Sequence, residues 1–494
     1  MTDFISPAWQ QHASLLLGLA GLAIVAYVYS ILSAPLAKIP GPWHSLFTGQ
    51  LIKIYGLQGK RTRYVHSLHQ KYGPVVRLSP REVDVTDLPS VKEIHAVKAT
   101  YTKSPHFYHA LRAPGTENVF STTDVFFHRR HRKLLQGPFS ESSLKTLQPI
   151  IEARVNMAID RMAEEMKTRQ VADVFKWWLF MATDVIGELT FGESFRMLEL
   201  GKKNEYSLNL EQAAAVGAKR TAFPLLARLA SAGLPIPGFG DSTRLIRNNE
   251  KFATESLQRY RKLVRENPDQ PINTLFKKVF KGEQQEELTL RELIDSAQVY
   301  IIAGSDTTAL ALTYLVWQVC CSPEIRDRLV QELQQVPDEY HDDDLQHLAY
   351  LQQVIEETLR VYSPAPSALP RIVPQGGSTL AGQYLPGGAI VSTQAFSLHR
   401  NPDIFPDPDT FDPDRWAHPT KAMKDSMMPF GGGSRICMGL HLARIELRLG
   451  IARFFRAFPH AKVSTREGFS DQDMVQMLFF LGPPKGKRCL IECA

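Results

Sequence analysis

The residue best suited to chemistry is Cys437, which stands in a short glycine-rich stretch. Apolar residues at helical spacing follow it, so we expect Cys437 at a loop-to-helix junction, where free backbone N–H groups favour a thiolate. Arg435 adds a fixed positive charge beside it. A thiolate of this kind is either a nucleophile or a metal ligand. A nucleophile would need a basic histidine, for which the local sequence offers only His441, and a zinc site would need a second cysteine at short spacing, which is absent.

A second candidate site interrupts a long apolar helical pattern at Asp306 and Thr307. The pattern begins with a capping box at residues 289–292. Residues such as Gly, Ser, Asp and Thr are weak helix formers, and a cluster of them inside a helix indicates function. Ala303 and Gly304 are predicted to leave space for a ligand against the helix, and the acid–alcohol pair can pass protons.

A dense basic segment supplies candidate anion ligands. His128 and Arg132 are four residues apart and share one helix face, as two donors that grip carboxylates must. Arg129, Arg130 and Lys133 remain for an acidic protein partner or a solvated surface.

The loop that carries Cys437 resembles the cysteine-ligand signature of the cytochrome P450 family. The matching residues, in order and spacing, are Phe430, Gly433, Arg435, Cys437 and Gly439. The resemblance implies haem b with its iron held axially by the Cys437 thiolate. It assigns cofactor contacts to Cys437, Arg435, Arg132, His128, Arg371, Phe430, Gly431, Gly439 and Ala303. In the family the position of His128 commonly carries tryptophan.

The same resemblance implies a structural group and a reaction. Glu357, Arg360 and Arg415 match the family's buried ion-paired triad, which supports the haem loop. Asp306 and Thr307 match the catalytic pair that delivers protons during oxygen activation. The implied activity is insertion of one atom of O2 into a hydrophobic small molecule. Electrons would come from NADPH through NADPH-cytochrome P450 reductase, with cytochrome b5 as a further partner.

Two alternatives to a monooxygenase stay open at this stage. Some relatives rearrange hydroperoxides without a reductase, but they commonly lack the acid–alcohol pair; a haem-based sensor would not need one. Tyr300, Thr308, Phe107 and residues 477–480 are predicted to line an apolar pocket. The sequences of the late motifs are similar to those of fungal secondary-metabolism members of the family. This similarity indicates a tailoring step on a polyketide, terpenoid or alkaloid-type skeleton.

The N-terminal segment predicts a membrane anchor. Residues 13–32 contain no charge, and about 20 apolar residues span a bilayer as a helix. A cleaved secretory signal would begin with basic residues, whereas the only acidic or basic (Asp, Glu, Lys or Arg) residue before this run is Asp3. Basic residues follow it, so the positive-inside rule predicts a cytosolic body. We expect a lumenal segment over residues 1–12, an anchor over 13–34 and a proline-rich hinge over 35–45, and the resemblance implies the endoplasmic reticulum membrane.

Composition is consistent with one large globular body over residues 46–494. The chain is 44% hydrophobic and 22% charged, and its five cysteines are too few and too clustered for a disulfide framework. The net charge of +6 is mild, and no basic tract is interleaved with aromatics, so nucleic acid is not an expected partner. The predicted fold is mainly α with a small β-rich part, a cytochrome P450 fold preceded by a single transmembrane helix.

Overall fold

The computed structural model describes most of the chain. The described residues are 7–98, 100–111, 116–205, 208–209, 212, 216, 219–220, 222–266, 274–276 and 288–493. Residues 1–6 of the predicted lumenal segment lie outside this set. Within it the fold is mainly helical with small sheets, as predicted.

The helices are numbered here in chain order. They are α1 (Pro7–Leu32), α2 (Gln50–Leu57), α3 (Arg61–Tyr72), α4 (Leu88–Ile94), α5 (Pro105–Tyr108), α6 (Val125–Leu135), α7 (Glu141–Lys145), α8 (Gln148–Arg169), α9 (Val174–Phe191), α10 (Met197–Leu200), α11 (Pro224–Ser231), α12 (Gly240–Glu266), α13 (Leu290–Cys321), α14 (Pro323–Leu333), α15 (Asp342–Leu345), α16 (Ala349–Val361), α17 (Ala395–Leu398), α18 (Lys421–Ser426) and α19 (Leu440–Ala457). Short 3-10 turns occupy Pro35–Lys38, Trp43–Leu46, His109–Leu111, Gly137–Phe139, Pro413–Trp416, Gly433–Arg435 and Arg466–Gly468.

The strands are short and form a small β part beside the helices. They are β1 (Val75–Ser79), β2 (Glu82–Val85), β3 (Thr102–Lys103), β4 (Ala172–Asp173), β5 (Arg371–Ile372), β6 (Ser378–Leu380), β7 (Gln383–Leu385), β8 (Ile390–Ser392), β9 (Ala461–Val463) and β10 (Leu490–Cys493). The largest sheet has the order β1–β2–β8–β5–β3, and β6 pairs with β7. In this sheet Lys103 of β3 lies opposite Arg371 of β5.

Helix α13 is the centre of the core. The predicted capping box starts it, since the Thr289 hydroxyl accepts from the Glu292 N–H and the Glu292 carboxylate accepts from the Thr289 N–H. It packs most extensively on α9, and a Cβ on Gly304 would lie 2.9 Å from Ile186 Cγ1. Gly304 therefore allows two helices to approach closely. The prediction that it leaves space for a ligand is wrong.

The hinge after the first helix is held by one buried arginine. Arg77 on β1 donates from Nη1 to the carbonyl oxygens of Ala37 and Ile39, at 3.0 and 2.6 Å, and from Nε to Ser45 Oγ at 3.0 Å. Carbonyl groups in a proline-rich segment have few backbone partners, so these bonds fix the connector onto the sheet. Among the described residues, two helices are long and apolar enough to cross a membrane. They are α1, with the exposed apolar window Leu15–Leu32, and α13, which is mostly buried in the fold.

Candidate active site

The Cys437 loop has the geometry that its glycines predict. Gly431 and Gly433 have φ of 71° and 59°, values that favour glycine, and a Cβ on Gly433 would clash with the His95 carbonyl oxygen. The Cys437 N–H donates to the Phe430 carbonyl oxygen at 2.9 Å, and Gly439 is the N-cap of α19, which begins at Leu440. The loop therefore presents the sulfur at a helix start, as expected.

The sequence predicts a favoured thiolate at Cys437, whereas the net effect of its surroundings is to raise the thiol pKa. Cys437 is exposed to solvent, but the protein around its thiol desolvates it, and this desolvation raises the pKa of the thiol. The Gly439 N–H and the Arg132 guanidinium act in the opposite direction. These donors favour the thiolate but do not outweigh burial, so a bound cation is the natural stabiliser of the charged sulfur.

Cationic side chains gather beside this loop. Arg132 Nη1 donates to the Ile436 carbonyl oxygen at 2.7 Å, and Arg435 Nη1 approaches the Thr122 carbonyl oxygen at 3.4 Å. Burial and the neighbouring Arg371 lower the pKa of Arg435 to about 10. Arg371 is buried, its Nε has no hydrogen-bond partner in the part of the chain that the structure describes, and burial lowers its pKa.

Lys103 and His128 lie beside these arginines. We call the four basic side chains Lys103, Arg132, Arg371 and Arg435 the cation nest. His128 is buried on α6, where burial and nearby cations lower its pKa to about 3. A neutral imidazole is therefore present at the position where tryptophan is common. Lys103 was not predicted from the sequence; the pairing of β3 with β5 brings it beside Arg371.

Among the described residues, no carboxylate is ion-paired with the cation nest, although the charge of Asp124 acts on Arg435. None of Lys103, Arg132, Arg371 and Arg435 forms an ion pair with a carboxylate in the described part of the chain. Buried charges without partners are expensive, so this arrangement fits a ligand that brings its own carboxylates. The two propionates of haem are such groups, and the orphan Arg371 Nε is one donor ready for them.

Helix α13 presents the predicted proton pair on its open face. Ile302 and Ala303 are exposed there, and Asp306 and Thr307 are half-buried. The Thr307 hydroxyl donates to the Ala303 carbonyl oxygen at 2.6 Å. The backbone at this point is thus engaged by a side chain that can also exchange protons.

Two residues predicted to line the pocket have other roles. The Tyr300 ring is buried between Phe139, at a centroid distance of 5.1 Å, and Phe276, at 5.6 Å. Thr308 is buried and donates to Glu446 Oε2 at 3.0 Å. The predictions for Tyr300 and Thr308 are therefore wrong.

Glu446 was missed from the sequence because its partner is on a different helix. It lies on α19, the helix that follows the cysteine loop, and it is 2% exposed. Burial raises its pKa to about 8, and the Thr308 hydrogen bond acts in the opposite direction. Through this bond the helix with the proton pair rests on the helix that follows Cys437.

The predicted ion-paired triad is confirmed in its geometry. Arg360 donates to both Glu357 oxygens at 2.8 and 2.7 Å, and Arg415 Nε donates to Glu357 Oε1 at 3.0 Å. The Asp412 N–H and Trp416 Nε1 also donate to this carboxylate, at 2.8 and 2.9 Å. Because Glu357 and Arg360 are completely buried, the triad is a structural support for the loop between Pro406 and Trp416.

A mainly helical body with one cysteine at a glycine loop and unmatched cations beside it is typical of haem-thiolate proteins. The family model described as Cytochrome P450 matches residues 39–490. The chain belongs to the cytochrome P450 family, and it is a monooxygenase of that family.

Named relatives agree with this membership. The chain is similar to cytochrome P450 monooxygenase tazI of Aspergillus terreus, with 48% identity over 95% of this chain and 96% of the relative. It is 42% identical to cytochrome P450 monooxygenase orf2 of Aspergillus niger over 95% and 96%. The trichothecene C-15 hydroxylase of Fusarium sporotrichioides is 31% identical over 88% and 89%. The resemblance to fungal members of the family is confirmed.

Proposed function

We propose that this protein oxidises a hydrophobic small molecule in a tailoring step of fungal secondary-metabolite biosynthesis. The observation that carries the proposal is the pairing of the Cys437 loop with the cation nest in one place. A relative whose name specifies C-15 hydroxylation of a trichothecene supports the tailoring role. Haem, when bound, supplies the oxygen activation and the oxidation of the substrate.

The residues of the chain hold and tune that cofactor. Cys437 would hold the iron through its thiolate. Arg132, Arg371, Arg435 and Lys103 would bind the propionates, with His128 as a neutral donor. Phe430, whose ring centroid lies 5.7 Å from the Arg444 guanidinium, together with Gly431, Gly439 and Ala303, would contact the cofactor.

Proton supply is the second task of the chain. Thr307 has a hydroxyl 2.6 Å from the Ala303 carbonyl oxygen, and Asp306 lies half-buried on the same open face of α13. A carboxylate can collect a proton from solvent, and the hydroxyl can pass it inward. Asp306 and Thr307 are therefore the proposed catalytic pair for proton delivery to reduced oxygen.

The surface of the protein supports a proposal for its electron donor and for its location in the cell. We propose NADPH-cytochrome P450 reductase as electron donor and cytochrome b5 as an auxiliary one. On α6 Arg129 and Lys133 are exposed and suit an acidic partner, whereas Arg130 binds Glu292 at 2.7 Å. The apolar window of α1 is the proposed anchor in the endoplasmic reticulum membrane, with residues 46–494 in the cytosol.

The test is spectroscopic and catalytic. The reduced, carbon-monoxide-treated protein should show the red-shifted Soret band of thiolate ligation, and Cys437→Ala should lose it. With NADPH supplied, substrate should be oxidised only when the reductase is present. Full turnover by Cys437→Ala would refute the ligand assignment. Reductase-independent conversion would favour hydroperoxide rearrangement, and absence of any product with a panel of apolar substrates would favour a sensor.

A further inference from the structure

Three phenylalanine rings from distant parts of the chain meet beside the site. The Phe480 ring centroid is 5.8 Å from both Phe107 and Phe120, at interplanar angles of 50° and 60°. Each of these rings is half-buried, so each keeps an accessible surface. Tyr108 lies behind them, fully buried, 5.0 Å from Phe107 and 5.8 Å from Phe120. We call Phe107, Phe120 and Phe480 the aromatic wall.

The aromatic wall borders the candidate active site. Phe107 follows β3, on which Lys103 lies opposite Arg371 of the cation nest in the sheet. The segment that carries Phe480 is held by the carbonyl oxygen of Phe479, which accepts from the Ser367 hydroxyl. The segment after Ser367 contacts the cysteine loop, since a Cβ on Gly431 would lie 3.8 Å from Leu369 Cδ1. Phe479 instead places its ring against Gly59 and is 40% exposed, outside the wall.

Charge near the wall is positive. Lys103 Nζ lies 4.2 Å from the Tyr108 ring centroid and 4.6 Å from that of Phe120, and it donates to the Phe120 carbonyl oxygen. The cation–π positions on these two rings are thus already taken by a lysine. Two propionates would balance only two of the basic side chains Lys103, Arg132, Arg371 and Arg435, so a cationic substrate would meet repulsion from this side. Among the described carboxylates, Asp124 is close enough for its charge to act on Arg435.

We propose that the aromatic wall selects a neutral, planar aromatic ring system as substrate, an inference that rests on the proposed function. Rings set at 50° and 60° to one another offer both edges and faces to an inserted ring. Such ring pairs contribute affinity beyond the apolar area that they bury, which a saturated skeleton of the same size does not gain. The wall therefore favours a flat aromatic skeleton over a terpenoid one, and Lys103 disfavours an alkaloid-type ammonium.

The test uses the full-length holoenzyme in detergent micelles and three matched probes. They are 2-methoxynaphthalene, its saturated analogue 2-methoxydecalin, and naphthylmethyl-trimethylammonium, whose quaternary nitrogen cannot coordinate iron. Dissociation constants come from Soret-band titrations, checked by equilibrium dialysis so that spectrally silent binding is counted. The variants are Phe480→Leu and Phe120→Leu, which keep apolar bulk, and Phe479→Leu is the matched control.

The naphthalene should bind at least several-fold more tightly than the decalin, and the ammonium should bind most weakly. Phe480→Leu and Phe120→Leu should each weaken naphthalene binding by roughly 2- to 12-fold, with a change below about twofold for the decalin and for Phe479→Leu. Equal binding of naphthalene and decalin, equal losses for both in the variants, or tightest binding of the ammonium would overturn the inference. An intact thiolate Soret band in that case leaves the proposed function standing, whereas loss of the band would refute the proposed function itself.

Discussion

Replacing Glu446 with glutamine tests whether a neutral carboxyl group is built into the core between α13 and α19. The carboxyl is 2% exposed and accepts from the Thr308 hydroxyl at 3.0 Å. Burial raises its pKa from 4.5 to about 8. Glutamine keeps the size and can accept the same hydrogen bond, so Glu446→Gln removes the titration and changes little else.

The sign and size of the effect follow from proton linkage. Between about pH 5 and about pH 7.5 the folded protein keeps a proton on Glu446 that the unfolded chain has lost. The stabilisation is fully present below about pH 4.5 and is lost as the pH rises through about 8. Over that interval the free energy of unfolding falls by about 1.4 kcal/mol per pH unit from this group, and by about 5 kcal/mol in all.

The assay is chemical unfolding of the holoenzyme in micelles from about pH 5.5 to about pH 7.5, followed by tryptophan fluorescence. Because all other groups titrate alike in both proteins, the difference between wild type and Glu446→Gln isolates Glu446. That difference should change by roughly 2 to 3 kcal/mol across the range, with the variant gaining relative stability as pH rises. Glu164→Gln, at an exposed glutamate on α8, should run parallel to wild type. Parallel profiles for Glu446→Gln would refute the argument and mean that Glu446 is ionised in the fold.

Three other substitutions test the remaining assignments. Thr307→Ala should raise peroxide release per NADPH consumed, with Thr307→Ser restoring coupling; unchanged coupling in the alanine variant removes Thr307 from proton delivery. Glu357→Gln should lower stability by about 3 to 5 kcal/mol and reduce haem content, because two arginines lose their anion, while the adjacent Glu356→Gln changes little; equal effects would show the triad to be dispensable. Gly304→Ala should destabilise by about 1 to 3 kcal/mol through contact with Ile186, unlike the helical Gly56→Ala, whose Cβ meets nothing; a stabilised Gly304→Ala would mean that α9 and α13 separate freely.

Features encoded locally could be predicted from the sequence. The capping box of α13 needs only residues three apart, and the Glu357–Arg360 pair lies on one helix face. The positive φ of Gly431 follows from a loop that needs glycine. These predictions succeed because the interacting groups are neighbours in the chain, where spacing determines geometry.

Features encoded by distant contacts could not be predicted. Lys103 joins the cation nest through a two-residue strand whose partner is far along the chain, and a lone lysine among aromatics was the only signal. Gly304 was expected to face a ligand, but which side of α13 meets α9 depends on tertiary packing. In the sequence Glu446 is an ordinary helix residue. Its role depends on Thr308, which is far away in the chain and forms a hydrogen bond with it only in the folded protein.

The cation nest links cofactor binding to the architecture of the whole site. Its members come from β3, α6, β5 and the cysteine loop, and burial lowers the pKa of Lys103, Arg371 and Arg435. Holding these groups together without anions costs free energy, which a ligand with two carboxylates recovers. The loop that contributes Arg435 also holds the Cys437 N–H against the Phe430 carbonyl oxygen, so one loop carries both a proposed propionate donor and the proposed iron ligand.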